Sequence, residues 1–179
     1  MKTKMCAFLR GVNVNGKNMK MSDVCDVFRQ EKMQNVNSVL ATGNILFESE
    51  LAKADVRPVL ESALSKHFET DIHMFIKDEA EVGLILSSSP FPPNPELHIY
   101  AFICEDGFEE TLMEKFKMVV PAPNEKAQIS NGYFLWQVEK GATLDSGFSK
   151  ILGEKKMKDQ FTSRNINTIQ KIRDKMHSL

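Results

Sequence analysis

A chain of 179 residues, 42% of them hydrophobic and 26% charged, can bury a sizeable core and does not read as disordered. Cys6, Cys25 and Cys104 are odd in number and widely spaced, which argues against a disulfide framework or a zinc knuckle and for a reducing compartment. The apolar run Met5 to Leu9 is too short for a signal-peptide core, and no later segment reaches the length of a membrane span. The expected location is therefore the cytoplasm, with no membrane partner.

Thr3 to Leu9 reads as a buried strand closed by Arg10-Gly11. Ser22 is the expected N-cap of a helix whose apolar stripe is Val24, Val27 and Phe28. Val36 to Ala41 and Asn44 to Glu48 are short strands around Thr42-Gly43. A helix with Val56, Leu60, Ala63 and Leu64 on one side follows, then a strand from Ile72 to Ile76. That order, βαββαβ, is the ferredoxin-like unit.

Asp78 can cap a short helix carrying Val82, Leu84 and Ile85. The stretch from Ser87 to Pro95 then holds four of the chain's seven prolines and favours extended backbone. Leu97 to Cys104 is a strand apolar on both faces, and Thr111 to Val119 a helix. Lys126 to Ser130 and Tyr133 to Val138 make a hairpin around Asn131-Gly132, a type I′ dipeptide. Two helices, Ser146 to Lys156 and Ser163 to His177, complete the chain. The expectation is an α+β fold of two tandem ferredoxin-like repeats with antiparallel sheets and extra C-terminal helices. The halves are residues 1–88 and 97–179, joined by a proline-rich link at 89–96, and they either stand apart or pack as one unit.

The net charge of -1 hides an asymmetry, since each end of the chain carries about +5 and the middle about -11. If the ends meet, they form an electropositive surface; otherwise they are solvated lysines on separate faces.

Gly11-Val12-Asn13-Val14-Asn15-Gly16-Lys17-Asn18 matches a phosphate-cradling P-loop except at Asn18, where Ser or Thr would bind magnesium. A helix beginning only at Ser22 and an antiparallel sheet both argue against a P-loop nucleotidase. The segment reads either as an anion nest or as a shaped connector whose asparagines tolerate positive φ. At the last helix, Thr162 is the expected N-cap, with Arg164, Asn165 and Thr168 in the first turns. That arrangement suits a phosphate or carboxylate, or is simply a capped helix with a structural arginine.

The segments Leu9 to Asn18, Thr42 to Phe47 and Thr162 to Thr168 resemble, in order and across the whole chain, the three signatures of the domain-of-unknown-function family numbered 1697. This chain has Asn15 where the family commonly carries Gly, Thr42 for Ser and Ile166 for Trp. The resemblance implies a bacterial protein with a two-repeat α+β fold and no assigned activity, and it supplies no catalytic residues.

Other chemistries find no support. His67, His73, His98 and His177 form no metal-ligand spacing, there is no Gly-x-Ser-x-Gly elbow, and Cys6 and Cys104 sit in expected buried strands. The βαββαβ order is also that of the RNA-recognition motif, for which Tyr100, Phe102, Tyr133, Phe134 and Trp136 could supply stacking faces. Alternation sends Tyr133 one way and Phe134 with Trp136 the other, so some of them must be core.

The reading is thus an anionic, for instance phosphorylated, small ligand in a cleft between the Gly11 to Asn18 loop and the start of the last helix. Arg10, Lys17 and Arg164 would neutralise it; Asn13, Asn18, Asn44 and Asn165 would orient it, with Gly11, Gly16, Thr42 and Thr168 shaping the site. The alternative is a nucleic-acid or protein-binding module using the same basic face. The residues identify no cofactor, no reaction and no oligomeric state.

Overall fold

The computed structural model describes residues 2–11, 13–14, 17–157 and 159–179, without the side chains of residues 13, 14, 17, 18 and 155. In chain order it contains β1 (Thr3–Arg10), β2 (Asn13–Val14), β3 (Lys17–Asn18), α1 (Met21–Gln30), β4 (Gln34–Ser38) and β5 (Asn44–Ser49). Next come α2 (Lys53–Phe68), β6 (His73–Asp78), α3 (Glu79–Ser87), β7 (Leu97–Cys104) and α4 (Phe108–Lys117). The chain ends with β8 (Lys126–Ser130), β9 (Tyr133–Glu139), α5 (Gly147–Leu152), β10 (Phe161–Asn165) and α6 (Ile166–His177). Two compact units divide it, residues 1–83 with 171–179, and residues 84–170.

Each unit is built on a four-stranded antiparallel sheet. The orders are β4-β5-β1-β6 and β10-β7-β9-β8, so in both units the first and third strands of the repeat are central and the fourth lies beside the first. This is the ferredoxin-like arrangement, twice over. In the first unit β1 alternates: Met5, Ala7 and Leu9 join a core with Val24 and Phe28 of α1 and Val56, Leu60 and Leu64 of α2. In the second, Phe102, Phe134 and Trp136 pack on Leu112 of α4 and Phe148 of α5. Period-two strands facing helical stripes of period 3.6 explain both cores.

Several boundaries differ from the sequence reading. The last helix does not begin at Ser163, because Phe161–Asn165 is a strand paired with β7, Phe161 opposite Cys104 and Asn165 opposite Tyr100. Thr162 is therefore buried in a strand and caps nothing, and the second repeat gains the fourth strand that makes it βαββαβ. The helix expected at Ser146 to Lys156 is α5, with Ser146 as its N-cap, whose Oγ accepts from Ser149 N–H, but it stops at Leu152. A short 3-10 turn, Lys155–Met157, follows. Helix α1 begins one residue before Ser22, whose hydroxyl donates to Asp23 rather than capping backbone. Helix α4 starts at Phe108, three residues earlier than its stripe suggested.

The hairpins are as their dipeptides indicated, with one change of length. Ser130 pairs with Tyr133 across Asn131 (φ 49°) and Gly132 (φ 77°), the two left-handed residues a type I′ turn needs. In the first unit Ser38 pairs with Ile45, so the turn spans residues 39–43 rather than Thr42-Gly43 alone.

Candidate functional site

In the first unit, two of the three signature segments meet at one end of the sheet. Phe8 pairs with Asn44 and Arg10 with His73, and Leu9 N–H donates to the carbonyl of Gly43 at 2.7 Å. Gly43 has φ 75°, a conformation that costs a side-chain-bearing residue strain, and it aims that carbonyl at β1. Asn44 is fully buried, and its Nδ2 donates to Val39 O at 3.0 Å and Thr42 Oγ1 at 2.9 Å. The side chains of Asn44 and Thr42 thus hold the 39–43 turn in shape. Arg10 and Gly11 stand half-buried beside it.

Beyond Gly11 the chain forms a small ribbon, with Asn13 opposite Asn18 and Val14 opposite Lys17. The side chains of Asn13, Lys17 and Asn18 and the whole of Gly16 lie outside the described residues. Helix α1 starts three residues after Asn18, and the sheet is antiparallel. Both differ from a P-loop, whose helix N-terminus lies directly behind the phosphate on a parallel sheet.

The third segment belongs to the second unit, where it forms the junction from β10 to α6. Arg164 Nη1 donates to Thr162 Oγ1 at 2.7 Å and to Ser163 O at 2.8 Å, which fixes the plane of the guanidinium. Asn165 is the true N-cap of α6, since its Oδ1 accepts from Asn167 N–H at 2.9 Å. That bond settles which way the carboxamide points, so its NH2 group faces His98 Nδ1, 2.9 Å away. In the neutral imidazole this contact suits the tautomer in which Nδ1 accepts and Nε2 carries the proton. Thr168 lies half-buried in the first turn of α6, as expected.

Beside this junction is a pocket of about 580 Å³ within the second unit. Phe91, Pro93 and Pro95 form one wall, Leu97 and Ile99 of β7 another, and Asn165, Asn167 and Gln170 a third. Among the described residues that line it, none is charged. Arg164 pairs with Ala101, which shares a sheet face with Leu97 and Ile99 by alternation, so the guanidinium stem emerges on the pocket's side of the sheet. Phe91, Asn94, Asn167 and Gln170 were not singled out from sequence. The available signal was the proline run, which read as a link, together with an Asx turn at Asn94, whose Oδ1 accepts from Glu96 N–H at 2.8 Å.

The charged ends of the chain do meet in the first unit, where Lys4 Nζ donates to Met176 O at 3.0 Å. An open depression of about 870 Å³ there collects Lys2, Lys4, Arg173 and His177, but also Asp78 and Glu79, so its charge is mixed rather than basic. His177 Nδ1 lies 2.7 Å from Glu79 Oε1. Nearby, Asp78 and Glu81 make a reciprocal capping box at α3. Glu81 N–H donates to Asp78 Oδ1 and Asp78 N–H to Glu81 Oε2, both at 2.9 Å. Lys53 and Lys77 reach the same carboxylate at 2.6 Å and 3.2 Å. Burial pushes the Glu81 pKa up, but the hydrogen bonds from Lys53 and the Asp78 backbone and the charge of Lys77 outweigh it and hold the group below the usual glutamate range.

The aromatic residues of the second sheet do not form an exposed stacking platform. Tyr133, Phe134 and Trp136 are buried, and the Tyr100 and Trp136 rings lie tilted by 30° with centroids 5.6 Å apart while Trp136 Nε1 donates to the buried Glu125 at 3.0 Å.

Comparison with known structures includes a strong likeness. A conserved bacterial protein of Streptococcus pneumoniae, SP0830, superposes with a TM-score of 0.78 at 19% identity, over 98% of this chain and 99% of that one. An unknown protein of Galdieria sulphuraria covers 99% of this chain and 91% of its own at 11% identity, but with a TM-score of only 0.27. A putative glycine cleavage system transcriptional repressor scores 0.25 at 14% identity, with 92% and 96% covered. Only the first speaks to the fold, and it agrees with the two-repeat architecture. No curated protein matches. The profile of the family described as protein of unknown function, DUF1697, matches residues 1–134, all four strands of the first repeat and the second repeat into β9, and the chain belongs to that family.

Proposed function

We propose that the protein binds a small phosphorylated or otherwise anionic ligand at the start of α6. The observation that carries this reading is the pocket of about 580 Å³ beside Asn165 and Asn167, a volume inside the range of roughly 300–1,000 Å³ that small-ligand sites occupy. The first turn of a twelve-residue helix brings backbone N–H groups and the positive end of the helix dipole to that wall. Arg164, held by Thr162 and Ser163 on the same side of the sheet, is the cation that neutralises the ligand. The Arg10 to Asn18 segment of the first unit is an anion-binding element in its own right, with Arg10 and Lys17 as its cations.

Nucleic-acid binding by base stacking has less to recommend it. It needs exposed rings, and the central-strand aromatics of β9 are spent on the core.

Thermal unfolding of the full chain against inorganic phosphate, sugar phosphates, nucleotides, coenzymes and short oligonucleotides tests the proposal, because a ligand that binds only the native state raises apparent stability. The expected result is a shift with one class of small anion that is lost in Arg164→Ala. Lys17→Ala reports the share of the first segment. A shift with oligonucleotides alone, falling steeply with salt, would favour the binding-module alternative.

A further inference from the structure

The pocket's own lining is more specific than a site for a bare anion. Its polar side chains are neutral, four carboxamides and the hydroxyl of Ser89, and its remaining walls are an aromatic ring, prolines and aliphatic side chains. An inorganic anion or a small dicarboxylate would leave most of this surface unused. Carboxamides offer a donor and an acceptor on one planar group, which complements a ligand edge bearing both.

The hydrogen-bond accounting narrows which amides are available. Asn165 is committed at both ends, to Asn167 N–H and to His98, so it sets the geometry of the wall. Asn94 spends its Oδ1 on Glu96 N–H and keeps its NH2 group as a donor. The Asn167 side chain is exposed, and among the described residues no hydrogen bond engages its amide. In the same lining, Phe91 is half-buried and Pro93 and Pro95 present flat, low-entropy apolar faces. A donor-and-acceptor edge attached to an apolar flat face is the chemistry of a planar heterocycle.

We infer that the pocket takes the heterocyclic base of a nucleoside-type ligand, lying against Phe91 and the prolines with its edge read by Asn94 and Asn167. This rests on the anion reading only for the other end of the ligand, where a phosphate would meet the start of α6 and Arg164. The ligand is then a mononucleotide or a coenzyme of that class.

Isothermal titration calorimetry of the full chain with nucleoside 5′-monophosphates, the matching uncharged nucleosides, ribose 5-phosphate and inorganic phosphate separates the two ends. The expected result is that one mononucleotide binds at least about tenfold more tightly than ribose 5-phosphate and that its nucleoside still binds. Asn167→Ala should weaken the nucleotide roughly three- to tenfold, the worth of one hydrogen bond, and leave ribose 5-phosphate unchanged. Phe91→Ala should act in the same direction. Equal binding of ribose 5-phosphate and nucleotides, with silent nucleosides, would overturn the heterocycle and leave the anion site standing. Nucleosides binding as tightly as nucleotides would uphold the heterocycle and overturn the anion site. Silence from every probe would overturn both.

Discussion

The two repeats turn the same corner in different ways. In each, the fourth strand of the sheet runs directly into a helix, β6 into α3 and β10 into α6, and in each an Asx residue at the end of the strand caps that helix. At the first corner the cap is Asp78, answered by Glu81, with Lys53 and Lys77 closing the charges on themselves. At the second the cap is the neutral Asn165, its other end is turned to His98, and a pocket walled by further amides opens beside it. One copy of a duplicated corner has its hydrogen bonds and charges satisfied internally; the other presents polar groups to a cavity. That contrast is the physical basis for looking for a ligand at the second corner and for stability at the first.

The largest break in this comparison is expected at Glu81. Glu81→Ala removes the acceptor for Asp78 N–H and the carboxylate that Lys53 and Lys77 share, which should lower the unfolding free energy by about 2 kcal/mol in a urea titration. The same carboxylate makes stability depend on acid. Because its pKa is held below the ordinary value in the folded chain, its contribution is fully present above about pH 4.3, the unfolded value, and is lost as the pH falls through the folded one. Unfolding followed from pH 6 to pH 3 should therefore show an acid-dependent loss that Glu81→Gln reduces. A smaller effect is expected at the second corner, where Asn165→Ala removes one cap without stranding a charge, about 1 kcal/mol by the same titration. Smallest is Asn167→Ala, within about 0.5 kcal/mol of the parent, since the side chain is exposed; its consequence should be in ligand affinity alone.

Much of this comparison could be read from the sequence, and the part that could not has a physical cause. The buried strand Leu97–Cys104, the Asn131-Gly132 turn and the cap at Asp78 are local signals, and the structure carries all three. Phe161-Thr162-Ser163-Arg164-Asn165 has one aromatic residue and no alternation, and Thr162 and Asn165 are both competent caps. Only pairing with β7, far away in sequence, makes it a strand and passes the cap to Asn165. The pocket was hidden for a similar reason. Prolines announce extended backbone but not what it packs against, so the segment read as a link gave no sign that it also lines a cavity. For the Arg10 to Asn18 loop the limit was different: its glycines and asparagines fit an anion nest or a shaped connector equally, and nothing local in them specifies the pairing of Asn13 with Asn18.

The most direct test of the contrast between the corners is a backbone amide NMR titration of the isotope-labelled chain with the mononucleotide that binds best. The account predicts chemical-shift changes centred on Asn165, Ile166 and Asn167 and on Phe91, Asn94, Leu97 and Ile99, with Asp78 to Glu81 unmoved. Changes centred on Asp78 to Glu81, with the start of α6 silent, would contradict it.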